Sequence, residues 1–197
     1  MKRSLIALTI ALAFSAAHAQ EPGSAVEAQR DANQQDRIEQ GLQSGALNTK
    51  EAGELERQEQ RIDRQEANDL KQGGALTPQE KAQVNREQNH VSNEIYNKKH
   101  NGAYGNPDSA SSQRLQADVQ RNVNQQQRIA NGINSGQLTN KEAGHLEQGQ
   151  AHVDRTEANA AANGHVGAGE QGRIQGKENY QSSRVYNKKH NDKTRGE

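Results

Sequence analysis

Residues 37–101 return as 128–191, and a chain that repeats itself over such a length must build one structural unit twice. RIEQGLQSGALNTKEAGELE in the first copy answers to RIANGINSGQLTNKEAGHLE in the second, IDRQEAN answers to VDRTEAN, and each copy closes on YNKKHN. Apolar residues recur at helical spacing: Ile38 and Leu42 are four apart, Leu55 and Ile62 seven, and Val84, Val91 and Ile95 seven and four. The seams they make are narrow. From Gln20 onward there is no Phe, Met or Trp, and Leu, Ile and Val make up only 22 of 178 residues, below what one broad apolar interior usually needs.

The spacing predicts helices over 27–44, 49–71, 78–99, 113–135, 140–161 and 169–188. Between them stand recognisable helix ends. Gly45 suits a left-handed stop, and Asn48-Thr49-Lys50-Glu51 reads as an N-cap with its Glu three residues on. Thr77-Pro78-Gln79-Glu80 and Thr139-Asn140-Lys141-Glu142 repeat the device, whereas Gly167-Ala168-Gly169-Glu170 lacks the capping hydroxyl. The last helix is therefore expected to be the weakest, and the second unit less stable than the first.

The same corners also look like EF-hand loops. A glycine at position six, an apolar residue at eight and Glu at twelve recur as Gly45, Leu47, Glu51; Gly74, Leu76, Glu80; Gly136, Leu138, Glu142; and Gly164, Val166, Glu170. The positions that should supply oxygens are poor, since no loop holds more than one carboxylate besides its last Glu. Capping explains the glycine, the Thr and the Glu without an ion. As an alternative, weak calcium or transition-metal binding would draw on Asp69, Glu80, Asn131, Glu142, Asn159, Asn163 and Glu170, or on His145 and His152, seven apart on one predicted helix face. No cofactor is expected.

The N-terminal residues 1–19 read as a secretory signal peptide: a basic start, an apolar run too short to span a bilayer, and Ala17-His18-Ala19 before the cut. The mature chain is thus expected in a bacterial periplasm, or secreted, with no membrane insertion. Its first unit covers 20–101, a Gly-, Pro-, Asn- and Ser-rich linker 102–112, its second unit 113–191, and a disordered tail 192–197. Losing Lys2 and Arg3 moves the net charge only from 0 to about −2, so a nucleic-acid partner is not indicated. No Cys is present, and no nucleophile elbow, zinc-protease motif or phosphate loop occurs, which argues against an enzyme. Acidic residues such as Asp63, Glu66 and Glu147 lie close to Arg64 or Lys141 and read as solvated ion pairs on helix surfaces. The repeated tails Tyr96, Lys98, Lys99, His100 and Tyr186, Lys188, Lys189, His190 read as helix ends, and as the best candidates for a contact point with an envelope protein or a second copy.

The strings QQRIxxGxxSGxLTxxEAxxLE, IDRxEAxA and IYxxKH resemble a functionally uncharacterised family of short exported proteobacterial proteins, with both copies matching. The resemblance implies an EF-hand-like helical unit and transfers no catalytic residue. A fainter similarity to Spy-like periplasmic chaperones and metal-stress proteins rests on LTPQE and LTNKE. The expectation is an all-α protein of two tandem up-down-up three-helix units with EF-hand-like turns and partly disordered termini and linker. Its expected role is a non-enzymatic interaction or stress function in the envelope, with low-affinity metal binding as the alternative.

Overall fold

The computed structural model describes residues 23–193, so the signal-peptide reading and most of the tail lie outside the described residues. Six helices follow in order: α1 (Gly23–Gln43), α2 (Thr49–Gly73), α3 (Pro78–Lys99), α4 (Ala110–Asn134), α5 (Asn140–Ala161) and α6 (Ala168–Lys189). No strand occurs among the described residues, and none of their helices is long and apolar enough to cross a membrane.

The helix ends form where the residues call for them. Gly45, Gly74, Gly136 and Gly164 take φ of 73°, 79°, 74° and 83°, the left-handed region open to glycine. Asn48 with Glu51, Thr77 with Glu80 and Thr139 with Glu142 each close a reciprocal capping box. At the start of α6 only half of the device remains: Glu170 Oε2 accepts from Gly167 N–H at 2.8 Å, and no side chain caps in return. Cβ atoms added at Gly169, Gly172 or Gly176 would meet nothing within 4 Å. Gly172→Ala and Gly176→Ala are therefore expected to stabilise the protein by about 0.5–1 kcal/mol each, by removing backbone freedom from the unfolded chain. Urea melts would read this as a higher midpoint at constant slope.

The two copies do not stand apart. The most extensive contact in the molecule is α2 against α5, and the next is α1 against α4, both between copies. Both pairs run antiparallel. Gly53 near the start of α2 faces Ala158 and Ala161 at the end of α5, while Gly144 near the start of α5 faces Ala67 and Leu70 at the end of α2. In the other pair, Gln116 of α4 reaches toward Leu42 O at the end of α1, while Ala25 and Ala28 of α1 share a cluster with Ile129, Ala130 and Ile133 of α4. The result is a pseudo-two-fold bundle of α1, α2, α4 and α5, with α3 and α6 packed against their own copies.

All the Leu, Ile and Val residues of the described chain are buried except Val26. All of these but Val123 and Val153 gather in two clusters, one around Leu42, Leu55, Leu115 and Ala161, the other around Leu70, Ile129, Leu138 and Leu146. Each draws on both copies, which explains how seams too thin for a single unit suffice for two. The 102–112 connection is pinned as well. Gly105 N–H donates to Gly45 O at 2.9 Å, and a Cβ at Gly105 would lie 2.6 Å from Leu47 O, so only glycine seats the segment on the α1–α2 turn.

Candidate metal centre

Between the two apolar clusters lies an interior of unusual chemistry. On α2, Glu56, Glu59, Asp63 and Glu66 follow one another at spacings of three, four and three, the period of one helix face. Glu147, Gln150, Asp154 and Glu157 repeat the pattern on α5, ninety-one residues on. Because α2 and α5 pack face to face, these side chains point into the bundle, and each is no more than 1% exposed. Asp31 from α1, Asp118 and Asn122 from α4, and Glu178 from α6 join them. Among the described residues no Lys, Arg or His is buried. The reading of Asp63, Glu66 and Glu147 as solvated ion pairs is thereby overturned. Arg64 and Lys141 are exposed and turn away from these carboxyls, which occupy the face shared with Leu55, Ile62 and Leu146.

Glu56, Asp154 and Glu157 make the tightest group. One oxygen from each can be chosen so that all three lie within 4.8 Å of one another. That span is about the separation of opposite ligands around an ion with calcium-like bonds of about 2.4 Å. Amides hold one side of each carboxyl. Gln35 Nε2 donates to Glu56 Oε2 at 2.9 Å, and Asn122 Nδ2 donates to Asp154 Oδ1 at 3.1 Å and to Glu157 Oε2 at 2.7 Å. Asn122 is held in turn by Gln150, whose amide donates to its Oδ1 at 2.6 Å. No donor reaches the remaining oxygens, Glu56 Oε1, Asp154 Oδ2 and Glu157 Oε1. Buried acceptors left bare are costly unless a proton or a cation satisfies them.

Burial pushes every one of these carboxyls up. Glu56 is raised to about 7 against the opposing hydrogen bond from Gln35, and Asp154 and Glu157 are raised well above the carboxylate range by burial and then by Glu56. Asp118 is pushed to about 7 and Glu178 to about 8, again chiefly by burial, with Arg121 pulling both down. Carboxylate oxygens are hard donors, and a group without His or Cys suits hard cations rather than zinc or copper.

The residues singled out from sequence lie elsewhere. Glu80, Glu142 and Glu170 spend an oxygen on helix caps, and Glu142 also accepts from Asn191 Nδ2 at 2.7 Å. Asn131 O accepts from Ser135 N–H at 2.9 Å, and Asn163 Oδ1 from His165 N–H at 2.9 Å. Asp69 is partly exposed near the end of α2, and Asn159 is exposed on α5. His145 is half-buried and its pKa is lowered by burial and by Lys188, Lys71, Arg184 and Lys141, a cationic setting that opposes a metal ion; His152 is exposed on the same helix. None of these belongs to the Glu56, Asp154 and Glu157 group. No family model, curated protein or solved structure matches the chain.

The repeated tails serve as clasps. Asn101 Nδ2 donates to Glu51 Oε1 at 2.6 Å and Asn191 does the same to Glu142, tying the end of each third helix to the start of its second. Lys98 pairs with Glu54 at 2.7 Å, Lys188 lies 3.9 Å from Glu142, and Lys99 Nζ lies 3.5 Å from Arg37 O. The Lys189 stem runs along Gly132. Tyr96 stacks on His100 and Tyr186 on His190, each with ring centroids 4.2 Å apart, and both tyrosines stay exposed. The signal that could have located the buried centre was present in the sequence: an acidic stripe at three-four-three spacing, recurring in the second copy at the same register.

Proposed function

We propose that this chain is a non-enzymatic, exported helical protein that takes up a hard multivalent cation between its two repeats. The observation that carries the reading is the set Glu56, Asp154 and Glu157, each fully buried and amide-clamped on one oxygen with the other oxygen bare. Three ionised carboxyls would supply three negative charges and three oxygens free of protein donors, with Gln35, Asn122 and Gln150 as positioning residues that fix the carboxyl planes. A binding role is favoured over catalysis because these residues expose no surface to a substrate. Export is supported by the leader-like run at 1–19.

The test is calorimetric titration of the mature chain with calcium, manganese and terbium at pH 7.5, with melting followed by circular dichroism. Binding with proton release and a higher melting temperature is expected, because ligation must displace protons from the raised carboxyls. Glu157→Gln is expected to weaken this centre by at least about tenfold. Absence of heat and of any thermal shift with all three ions would overturn the reading.

A further inference from the structure

The pseudo-two-fold exchanges each residue of the first centre for its counterpart in the other copy. Glu56 maps to Glu147, Asp154 to Asp63, Glu157 to Glu66, Gln35 to Gln126, and Asn122 to Asp31. Four carboxyls therefore stand at the positions that three carboxyls and an amide hold in the first centre. They are more widely spaced, since among the described residues only Glu56, Asp154 and Glu157 bring three such oxygens within 4.8 Å of one another. We infer that Asp31, Asp63, Glu66 and Glu147 hold a second hard multivalent cation, an inference that rests on the reading of the first centre for the class of ion.

The second group shares the amide donors and the bare buried oxygens of the first. Gln88 Nε2 donates to Asp31 Oδ1 at 2.7 Å, and Gln126 Nε2 donates to Asp63 Oδ1 at 3.2 Å. The Gln126 amide also pulls Glu147 down, and the Asp31 and Glu66 carboxyls act on one another. No donor reaches Asp31 Oδ2, Asp63 Oδ2 or Glu66 Oε1, although all three residues are only 1% exposed. The Arg30 charge reaches Asp31 and pulls it down, while its guanidinium donates to Asn85 and Asn89 on α3 rather than to a carboxyl of the group. An extra ionised carboxyl at Asp31 favours a trivalent over a divalent ion relative to the first centre. The two groups meet where the Asp63 and Asp154 carboxyls touch.

Equilibrium dialysis of the mature chain against terbium or calcium at pH 7.5, with bound metal counted, separates the two centres. The wild-type chain is expected to bind two equivalents of terbium, Glu66→Gln one, and Glu157→Gln one. Asp31→Asn, which gives the second centre the composition of the first, should keep two equivalents while the second-centre terbium affinity falls at least about tenfold and its preference over calcium narrows. Because the amide replacements remove buried charge, helicity should hold, and circular dichroism checks it. A single wild-type equivalent that Glu157→Gln removes and Glu66→Gln leaves intact would overturn the second centre and spare the first. A single equivalent removed by Glu66→Gln alone would uphold the second centre and sink the first, and no binding at all would sink both.

Discussion

Freed of metal, the protein is expected to melt about 10 °C or more lower at pH 8 than at pH 5, the reverse of ordinary acid denaturation. In the unfolded chain Asp and Glu lose their protons near pH 4, whereas in the folded chain Asp31, Glu56, Asp118, Glu147 and Glu178 hold theirs to about 7 or 8. Glu59, Asp63, Glu66, Asp154 and Glu157 are also raised well above the carboxylate range, by burial first and by neighbouring acids second. A folded-state pKa above the unfolded value means that the folded form binds more protons through the interval. Stability is then fully present below about pH 4 and drains away as pH climbs toward 8. Arg30, Arg37 and Arg121 face some of these acids and soften the effect without cancelling it. At roughly 2–4 °C per kcal/mol for a chain of this size, the loss is well within reach of a thermal scan. Calcium or terbium added at pH 8 should recover most of it, since a cation then replaces the protons. A melting temperature that rises from pH 5 to pH 8 without metal would contradict the charged interior.

Gly53→Leu is expected to cost about 3 kcal/mol, and Gly144→Leu a comparable amount. A Cβ at Gly53 would lie 2.6 Å from Ala161 Cβ, and one at Gly144 would lie 3.0 Å from Leu70 Cβ and 3.1 Å from Ala67 O. In each case the obstacle is the backbone or first side-chain atom of the facing helix, which cannot swing aside. The helices would have to separate, and the carboxyls of α2 and α5 would lose their spacing. Both stability in urea and metal uptake should therefore fall together. Glu54→Ala, one residue from Gly53, removes only an exposed pair with Lys98 and should change stability by less than about 0.5 kcal/mol. If Gly53→Leu melted like the wild type, the close α2–α5 approach would be refuted.

The corners of this fold were legible because each is written in a few adjacent residues. Thr77-Pro78 with Glu80, Asn48 with Glu51, and the glycines at 45, 74, 136 and 164 set helix boundaries close to those observed. The interior was not legible for a different reason. Seen alone, Glu56, Glu59, Asp63 and Glu66 stand between Arg57, Arg61 and Arg64, and alternating signs on a polar helix ordinarily mean a wet surface. Burial of that stripe is decided by the other copy. Leu55 and Ile62 make up only part of the buried face of α2, and the acidic residues share it with them. Nothing local to α2 reports that α5 will arrive, and the glycines at 53 and 144 disclose it only once the two helices are side by side.

The Glu56, Asp154 and Glu157 group draws from both halves of the chain, Glu56 from one and the other two from the second, and the set proposed opposite it takes Glu147 from the second half and Asp63 and Glu66 from the first. An ancestor with one repeat could have assembled such a cage only by pairing with its twin, and the twin would have forced both cages to be identical. Joining the halves through a connection hooked onto Gly45 released that constraint. Asp31 could then diverge from Asn122, Glu59 from Gln150, and Gln88 from Glu178, giving one polypeptide two unlike interiors where a homodimer would have had two copies of one.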